Sequence, residues 1–522
     1  MQIKLPLLLA ATAILGGCVI PPAQTADQSI PRADTAEART ASYFDHIRDE
    51  PVMLNMFLRG MPKGGDLHNH LSGAVYAESF LDWAARDGLC ISRGQLTVSA
   101  PPCDTRRQIV SAAEVQRDKS LYNAAIDAFS MRNFVPGAQS GQDHFFAAFD
   151  KFGRAGDQRP GDMLAEAIGI AAADNVSYLE LMWSTPGMGA ARRLGSTVGW
   201  NGNFDAMSAA LLRRGLSGIV GEVATYVDAA EARMRDLLHC AEAGAEPGCR
   251  LTVRYLAQVV RTLPPEQVFA QCLLGFELAS REGRFVGLNL VAPEDDPVAL
   301  RDYATHMRML AYLGQHYSGV KLSLHAGELT LGLVPPIDLH SHIRQAVEIS
   351  GAKRIGHGVD VMQEDNAADL LGDMAKRRVL VEINLTSNDL ILGVRGRQHP
   401  LKAYMQAGVP VALSTDDEGV SRIDLTNEYR RAATEQGLSY RDLKMLARNS
   451  LEYAFLQGAS LWQSNRPGET VEACAASVPG TAAPEGACRA LLDGSERARL
   501  QWQLEAQFRN FEAAGWQDAA GK

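Results

Sequence analysis

The first residues able to do chemistry lie in the stretch Asp66 to His70, Asp-Leu-His-Asn-His. This stretch is typical of the end of a short buried strand that begins near Gly65. Because side chains alternate faces along a strand, His68 and His70 point the same way. Two imidazoles on one side of a strand form half of a transition-metal site. A His-x-His pair is often incidental, so a metal site requires further ligands downstream.

Three later predicted strands end in residues of the right types. They end in His325-Ala326-Gly327-Glu328, in Arg354-Ile355-Gly356-His357-Gly358 and in Ser414-Thr415-Asp416-Asp417. Three histidines and a carboxylate can hold one Zn²⁺ and leave a position open for water, while a nearby glutamate moves protons. A single such strand end is usually structural, but four on one rim predict a metal-dependent enzyme.

These strand ends can meet only if the strands lie parallel in one sheet. Eight apolar segments alternate with helical patterns, which predicts an α/β protein with a (β/α)₈ TIM barrel; a doubly wound sheet is the alternative. The predicted strands are Gly65–His70, Val176–Leu181, Leu251–Ala257, Phe285–Val291, Val320–Ala326, Arg354–Gly356, Leu380–Leu385 and Val411–Ser414. Predicted helices include Met163–Asp174, Pro265–Glu282, Pro297–His316, Leu339–Ser350 and Asn366–Arg378.

Segments outside this alternation are predicted to be helical additions. One helix is expected over Tyr43–Arg59, and residues 75–160 are expected to be mostly helical. Within them Phe145, Phe146, Phe149 and Phe152 share one helix face. That face can pack in the core or form an apolar wall over a ligand. The barrel domain is predicted to span residues 43–460, with a C-terminal appendage over 461–522.

Composition sets the class of protein. The 522 residues are 46% hydrophobic and 21% charged, as in soluble globular proteins. The formal net charge of -10 argues against nucleic acid as a partner. Beyond the first twenty residues no stretch is long and apolar enough to span a bilayer.

The N-terminus has the pattern of an export signal. A cationic start to Lys4 precedes the apolar run Leu5–Leu15, and Leu15-Gly16-Gly17-Cys18 resembles the lipobox of bacterial lipoproteins. We therefore expect a signal peptide over residues 1–17, a lipid anchor on Cys18 and a flexible tether over 18–42. An ordinary cleaved signal is the alternative. Val19 favours the outer membrane by resemblance to lipoprotein sorting rules.

Export also indicates how the other cysteines are used. Six of them form close pairs that bracket turn residues: Cys90 with Cys103, Cys240 with Cys249 and Cys474 with Cys488. In an oxidising compartment these pairs predict three local disulfides. Cys272 lies in a helical apolar pattern and is expected to be a buried thiol.

Together the four strand-end motifs resemble the adenosine deaminase family of metal-dependent amidohydrolases. The matching segments begin with Met61-Pro62-Lys63, continue through the His68–His70 stretch and end at Asp417, in the family's order. The export signal and the Met61 to Gly65 approach resemble the secreted adenosine deaminase-related growth factor branch.

The resemblance implies specific roles for seven residues. His68, His70, His325 and Asp416 would ligate one zinc ion per chain. Glu328 would protonate N1 of the purine, His357 would orient and polarise the attacking water, and Asp417 would bond the base near N7. The implied reaction is hydrolysis of adenosine or 2′-deoxyadenosine to the inosine product and ammonia, with a small-molecule purine nucleoside as the partner.

Two departures from the family pattern concern the substrate. Ser72 stands where relatives commonly have an acidic residue that contacts the ribose 5′ hydroxyl, and Ala292 replaces a glycine that donates its N–H to the purine. Another aminopurine, such as adenine, a modified adenine or a nucleotide, is therefore an alternative substrate. A non-catalytic surface binding protein on the same fold is a more remote alternative. The oligomeric state is left open.

Two further features are expected to support the site from outside it. His340 and His342 lie about 200° apart on a helix and cannot share a metal as a strand pair can. We therefore expect them at the surface or in supporting positions. Glu180, at the end of the second strand, is expected to be a buried polar partner.

Overall fold

The computed structural model describes residues 35–516, apart from residues 138, 465 and 483. The predicted signal peptide, Cys18 and most of the tether lie outside the described residues. Within the described part of the chain, no helix has the length and apolar character needed to cross a membrane.

Eight parallel strands form a nearly closed barrel and confirm the predicted fold. They are β1 Gly64–His70, β2 Val176–Trp183, β3 Thr252–Val260, β4 Phe285–Val291, β5 Lys321–Ala326, β6 Arg354–His357, β7 Leu380–Ile383 and β8 Val411–Leu413. They pair in chain order from β1 to β8. A bridge between Asn69 and Asp416 brings the ends of β1 and β8 together. The four motif-bearing strand ends therefore share one rim.

Helices cover the outside of the barrel and fill its insertions. Between β1 and β2 they are Leu71–Ala74, Ala77–Arg86, Ala112–Arg117, Lys119–Phe129, Gly141–Gly156 and Pro160–Ala173. From β2 to β8 they are Pro186–Val198, Phe204–Arg213, Ile219–Leu237, Pro265–Arg281, Pro297–His316, His342–Glu348, Ala367–Arg377, Leu385–Leu392 and Leu401–Gln406. After β8 they are Glu418–Ser421, Leu425–Thr434, Tyr440–Glu452, Gly486–Gly494 and Glu496–Ala513.

Two local predictions differ from the structure. The single helix expected over Tyr43–Arg59 is two helices, Ala36–Ile47 and Pro51–Gly60, because Pro51 cannot donate a helical hydrogen bond and begins a new helix instead. The first insertion also contains a small antiparallel sheet of Cys90–Ser92, Val98–Ser99 and Ile109–Ser111. Such two- and three-residue strands carry no detectable periodicity.

The cysteines behave as predicted. Disulfides join Cys90 to Cys103, Cys240 to Cys249 and Cys474 to Cys488. Cys272 is a free, buried thiol in helix Pro265–Arg281, and its burial raises its pKa to about 12. The thiol is therefore an apolar core group and not a nucleophile at neutral pH.

Residues beyond the barrel pack back onto it. The C-terminal helix Glu496–Ala513 contributes Leu504, Phe508 and Phe511 to the main hydrophobic core. The Phe511 ring meets Phe57 of the second N-terminal helix, with centroids 5.0 Å apart. The N-terminal and C-terminal helices of the described chain thus pack against each other, although the sequence assigns them to different segments.

Candidate active site

The ends of β1, β5 and β8 bring the four predicted metal ligands close together. The Nε2 atoms of His68 and His325 lie 3.2 Å apart. The Asp416 carboxylate oxygen Oδ1 lies 3.3 Å from Nε2 of His68 and 3.3 Å from Nε2 of His70. All four side chains are buried. The structure thus places the four predicted ligands around one point.

Partners outside the cluster fix which ring nitrogen faces inward. His68 Nδ1 lies 2.7 Å from the carboxylate of Glu382, and His325 Nδ1 lies 2.8 Å from Oδ1 of Asn289. Because each Nδ1 meets an oxygen acceptor, it carries the ring hydrogen. The two Nε2 lone pairs then converge across 3.2 Å with no hydrogen between them. Two facing lone pairs repel each other unless a cation lies between them, so the donor set fits a divalent metal.

Glu382 on β7 is the centre of the supporting network. Its carboxylate accepts hydrogen bonds from His68, from Ser323 Oγ at 2.8 Å and from Arg354 Nε at 2.5 Å. Burial alone would raise the pKa of Glu382, but Arg354 and His68 hold it below the usual value. Arg354 also pairs with Glu180 at 2.5 Å, which confirms the expected buried role of Glu180. A permanent carboxylate therefore orients His68.

The remaining two ligands have their own local supports. His70 Nδ1 lies 2.5 Å from Nε2 of the Gln258 side-chain amide on β3; with a metal on its own Nε2, His70 would carry its hydrogen on Nδ1 and donate it to the amide oxygen of Gln258 instead. Ser387 donates to the second carboxylate oxygen of Asp416 at 2.6 Å. Asp416 has φ +61°, so the chain turns there and the adjacent Asp417 also reaches the cavity. Neighbouring residues in a strand face opposite sides, so this turn is what lets both aspartates face the cavity.

His357 lies beside the cluster at the end of β6. Its ring nitrogen and those of His68 and His325, with an oxygen of Asp416, lie within 4.8 Å of one another. Asn388 Nδ2 lies 2.8 Å from His357 Nδ1, and His399 Nε2 lies 2.9 Å from Asn388 Oδ1. Since the amide nitrogen donates, Nδ1 of His357 accepts and Nε2 carries the hydrogen. Burial lowers the pKa of His357 to about 3, so the ring is neutral.

Glu328 reaches the site through a turn that its neighbours stabilise. Strand β5 ends at Ala326, and Gly327 has φ +74°; a Cβ there would lie 2.4 Å from the Asp360 carboxylate. The carboxylate of Glu294 accepts the N–H of Gly327 at 3.1 Å and the N–H of Glu328 at 3.0 Å. Glycine and this carboxylate together direct Glu328 back toward the cluster.

The His342 ring supports Glu294 in turn. Its Nδ1 lies 2.7 Å from the Glu294 carboxylate, and its ring stacks on Tyr303 with centroids 3.7 Å apart. His340 is by contrast 40% exposed on its side chain. His342 therefore supports the site from behind, and His340 lies at the surface. These are the two kinds of position expected for the pair.

Electrostatics separates the roles of the acidic residues. Burial and the negative charge of Asp416 raise the pKa of Glu328 well above its usual value. The same two causes, in the same order, raise the pKa of Asp417. Both carboxyls therefore bind a proton more strongly than free acids do, and Glu328 Oε1 lies 3.5 Å from His357 Nδ1. Glu328 is thus suited to donate a proton to a substrate atom beside the cluster.

A cavity of about 620 Å³ opens above the cluster and holds the predicted substrate-facing residues. Ser72, Ala292, Glu328 and Asp417 line it, as do His70, His325 and Asp416. Ala292 has φ +80°, a backbone conformation that favours glycine. The alanine methyl group therefore lies at a turn that would suit glycine better. The cavity volume is sufficient for a purine nucleoside.

The phenylalanine face of helix Gly141–Gly156 packs in the core and also lines the cavity, the two roles that the sequence allowed. Phe152 is buried and stacks on Phe80 with centroids 4.3 Å apart. Phe145, Phe146 and Phe149 line the cavity opposite the cluster. One helix therefore anchors in the core and forms an apolar wall for a planar ligand.

Four supporting residues were not predicted: Glu382, Glu294, Gln258 and Asn388. Glu382 and Glu294 had a detectable signal, because a charged residue in or directly after a buried apolar strand needs a specific partner. Gln258 and Asn388 had none, since uncharged amides are common at such positions.

Comparison with known proteins was decisive for the family. The sequence model described as "Adenosine deaminase" matches residues 162–461, more than half of the chain. The chain belongs to the adenosine deaminase family. The matched segment contains His325, Glu328, His357 and Asp416, whereas His68 and His70 precede it. Membership in this metal-dependent family agrees with the donor set around the cluster.

Curated relatives are similar over part of their length. An adenosine deaminase from Shewanella loihica is 38% identical over 140 residues, which is 27% of this chain and 39% of that protein. An adenosine deaminase from Klebsiella pneumoniae is 34% identical over 219 residues, or 41% of this chain and 60% of that protein. The chain thus spans from two to three fifths of these relatives.

Solved structures share the fold. A zinc-bound amidohydrolase from Burkholderia ambifaria superposes with a TM-score of 0.50 at 19% identity, covering 88% of this chain and 94% of that one. An N6-mAMP deaminase from Arabidopsis gives a TM-score of 0.50 at 19% identity, covering 77% and 96%. Both comparisons support the barrel fold.

Proposed function

We propose that this protein hydrolyses adenosine and 2′-deoxyadenosine to inosine and 2′-deoxyinosine with release of ammonia, using one zinc ion per chain. The observation that carries the proposal is the convergence of His68, His325 and Asp416 beside a protonated Glu328, below a cavity large enough for a nucleoside. His68, His70, His325 and Asp416 would hold the metal, which would activate water for attack.

The protein side chains supply the rest of the chemistry. Attack of water at C6 breaks the aromaticity of the ring, so N1 must gain a proton as the bond forms. Glu328 carries that proton because burial and Asp416 raise its pKa. His357 is neutral and orients the water, with its tautomer set by Asn388. The amine then leaves as ammonia, and the C6 oxygen remains in the product.

Asp417 and Ala292 are placed to hold the base. The protonated carboxyl of Asp417 can donate to N7 of the purine, which is an acceptor. Its Oδ1 is buried without a hydrogen-bond partner among the described residues. A Cβ on Gly73 would lie 1.6 Å from that atom, so the glycine leaves room for Asp417. The Ala292 N–H would face the opposite ring edge, as the family resemblance implies.

Another aminopurine is the second candidate, and Ser72 with Ala292 favours it. These two departures from the family pattern fall on the substrate side of the cavity, while every predicted metal ligand is present. A phosphorylated substrate is disfavoured, because no lysine or arginine is among the described residues that line the main cavity. Free adenine and N6-substituted nucleosides therefore belong in the substrate panel.

The test is an absorbance assay of the purified, zinc-supplemented chain with adenosine, 2′-deoxyadenosine, adenine, N6-methyladenosine and AMP. Loss of adenosine with stoichiometric ammonia supports the proposal. Turnover of adenine or AMP in preference to both nucleosides contradicts the substrate assignment but keeps the deaminase. A folded, zinc-loaded chain that turns over none of the panel contradicts the proposal as a whole.

We also infer that the enzyme works in the cell envelope, lipid-anchored through Cys18 and related to the secreted growth factor branch. The lipobox-like residues Leu15 to Cys18 support this location, as do three disulfides, which form in oxidising compartments. Cys18→Ser should move the protein from the membrane fraction to the soluble fraction. Equal membrane association of the variant would contradict the anchor.

A further inference from the structure

A second chamber of about 320 Å³ adjoins the main cavity. It lies between helices Gly141–Gly156 and Pro186–Val198 at the ends of β2 and β3. Four residues line both spaces and form the partition between them: Ser72, Ser184, Gln258 and Val260. Ser184 Oγ donates to Gln258 Oε1 at 3.0 Å, and Gln258 contacts His70. The partition is thus attached to the predicted metal site.

The walls of the second chamber are mostly apolar. The large apolar lining residues include Phe80, Phe152, Met163, Met182, Trp183 and Met188. The charged members are Arg192 and Asp157, which carry opposite signs. Methionine and aromatic side chains are adaptable, polarizable surfaces suited to an apolar or thioether group. A phosphate would meet no net positive charge there.

Two hydroxyl groups in the chamber wall lack partners within the described part of the chain. Thr185 is 3% exposed, and its Oγ1 makes no hydrogen bond there. Ser72 likewise shows no side-chain hydrogen bond to a described residue. A buried hydroxyl without a partner, such as that of Thr185, is unfavourable unless a ligand or water completes it, while the half-buried Ser72 hydroxyl is free to bond a ligand. These groups therefore mark positions where a ligand hydroxyl can bind.

The residues that would handle the amine do not reach this chamber. Among the lining residues of the main cavity are His325, Glu328, Asp416 and Asp417, and none of them lines the second space. A substituent on the reacting amine would lie among those four residues. The second chamber therefore faces the part of the substrate that is remote from the amine, which in a nucleoside is the sugar.

We propose that the second chamber binds an apolar substituent on the 5′ carbon of an adenine nucleoside, with the Ser72 and Thr185 hydroxyls bonded to the sugar. The 5′ carbon is the exocyclic carbon of ribose and so can extend past the partition while the base stays at the metal. This inference rests on the proposed deaminase function and makes it specific for a substrate class. Adenosine fits as the shorter member of that class.

The experiment fills the chamber without disturbing its walls. Gly153 lines the second chamber and not the main cavity, and an added Cβ there would meet no atom within 4 Å. Gly153→Leu therefore extends a side chain into open space. Gly169→Leu is the matched control, because Gly169 is also helical, has the same free surroundings and lines neither space.

The full-length, zinc-supplemented wild type and variants are assayed with adenosine, 5′-methylthioadenosine and N6-methyladenosine. Wild type should use 5′-methylthioadenosine at least as well as adenosine by kcat/KM. Gly153→Leu should lower kcat/KM for 5′-methylthioadenosine about tenfold, while its effect on adenosine stays below about threefold. Gly169→Leu should leave kcat/KM unchanged for both substrates.

Three results for Gly153→Leu would overturn the inference. They are an equal loss of kcat/KM for adenosine and 5′-methylthioadenosine, no loss for either, or a loss for N6-methyladenosine alone. Calorimetric binding of 5′-methylthioadenosine to the metal-depleted chain gives a readout that does not require turnover. Wild type should bind it more tightly than adenosine, and Gly153→Leu should remove that advantage. Selective binding without deamination would contradict the proposed function and leave the chamber assignment standing.

Discussion

Two groups of buried carboxylates flank the site, and they differ in charge. Glu382 and Glu294 have pKa values below the usual range, since Arg354 and His68 in one case, and His342 and Arg261 in the other, outweigh burial. Their oxygens accept hydrogen bonds from the groups that they position. We call these two the anchoring carboxylates.

The carboxyls of the second group have raised pKa values and so bind protons more strongly than free acids do. Burial raises the pKa values of Glu328, Asp360, Glu364 and Asp417. Oxygens of Asp360, Glu364 and Asp417 have no hydrogen-bond partner among the described residues. We call these four the protonated carboxyls. The same chemical group thus serves either as a fixed charge or as a proton store, and its neighbours decide which. Glutamine, which resembles a protonated glutamic acid, distinguishes the two groups.

The largest expected effect is loss of proton donation at Glu328. Glu328→Gln keeps the size of the side chain but cannot transfer a proton, so kcat should fall by roughly 10² to 10⁴. Zinc content and thermal unfolding should match wild type, because the protonated and amide forms are both neutral. Steady-state kinetics with adenosine, alongside metal analysis, measures this. Full activity in the variant would exclude Glu328 as the proton donor.

Glu382→Gln should instead weaken metal binding. The variant removes the charge that orients His68, and loss of such a partner typically lowers metal affinity 10- to 100-fold. Zinc titration against a competing chelator gives the affinity. Glu180→Gln is the matched control, because Glu180 also pairs with Arg354 but is not bonded to His68. Equal losses in both variants would assign the effect to Arg354 and not to His68.

Glu294→Gln tests the other anchoring carboxylate at the turn before Glu328. A glutamine can accept only one of the two N–H groups, so the turn loosens and Glu328 moves from its position. We expect kcat to fall roughly tenfold, with zinc affinity unchanged because Glu294 bonds no metal ligand. His342→Gln, which removes only the supporting imidazole, should have a smaller effect. A fall in zinc affinity would show that the turn also positions His325.

The sequence was sufficient for the barrel and the cluster because both depend on local patterns. His68 and His70 face one way through strand alternation, and β5 had to end before Glu328 because Gly327 makes the turn. Pro297–His316 has the predicted bounds, because a proline begins it after a capping aspartate, Asp296, and it carries a continuous apolar stripe. These signals lie within a few residues of what they specify.

The anchoring carboxylates depend on distant partners. Glu382 bonds His68 across 314 positions, and Gln258 contacts His70 across 188. No local pattern encodes such pairs, because the partners meet only when the barrel closes. The second chamber is similar: it forms where helices from two insertions meet, and neither insertion alone predicts an open space. The residues of the cluster were therefore predictable, whereas Glu382 and Glu294 carried a local sign of burial but none of which residue they bond.

The smallest predicted effect tests a protonated carboxyl away from the chemistry. Burial raises the pKa of Glu364 to about 7, although the N–H groups of Ile343 and Arg344 partly oppose this. Between the ordinary value of 4.5 and about 7, the folded state then binds more protons than the unfolded state. The contribution of Glu364 to stability is thus present at low pH and is lost as pH rises through that window.

Glu364→Gln should remove this dependence, because the amide stays neutral and its oxygen can still accept the Ile343 N–H. The variant should therefore unfold at a higher temperature than wild type at pH 8, and the difference should vanish near pH 5. Thermal unfolding at several pH values measures it, and comparing variant with wild type cancels the other titrating groups. The opposite result would be a variant that is less stable than wild type at pH 8 and matches it near pH 5. Glu364 would then belong with the anchoring carboxylates. Its charge would then be held by Arg344, and the division between the two groups would follow distance from an arginine or histidine and not depth of burial.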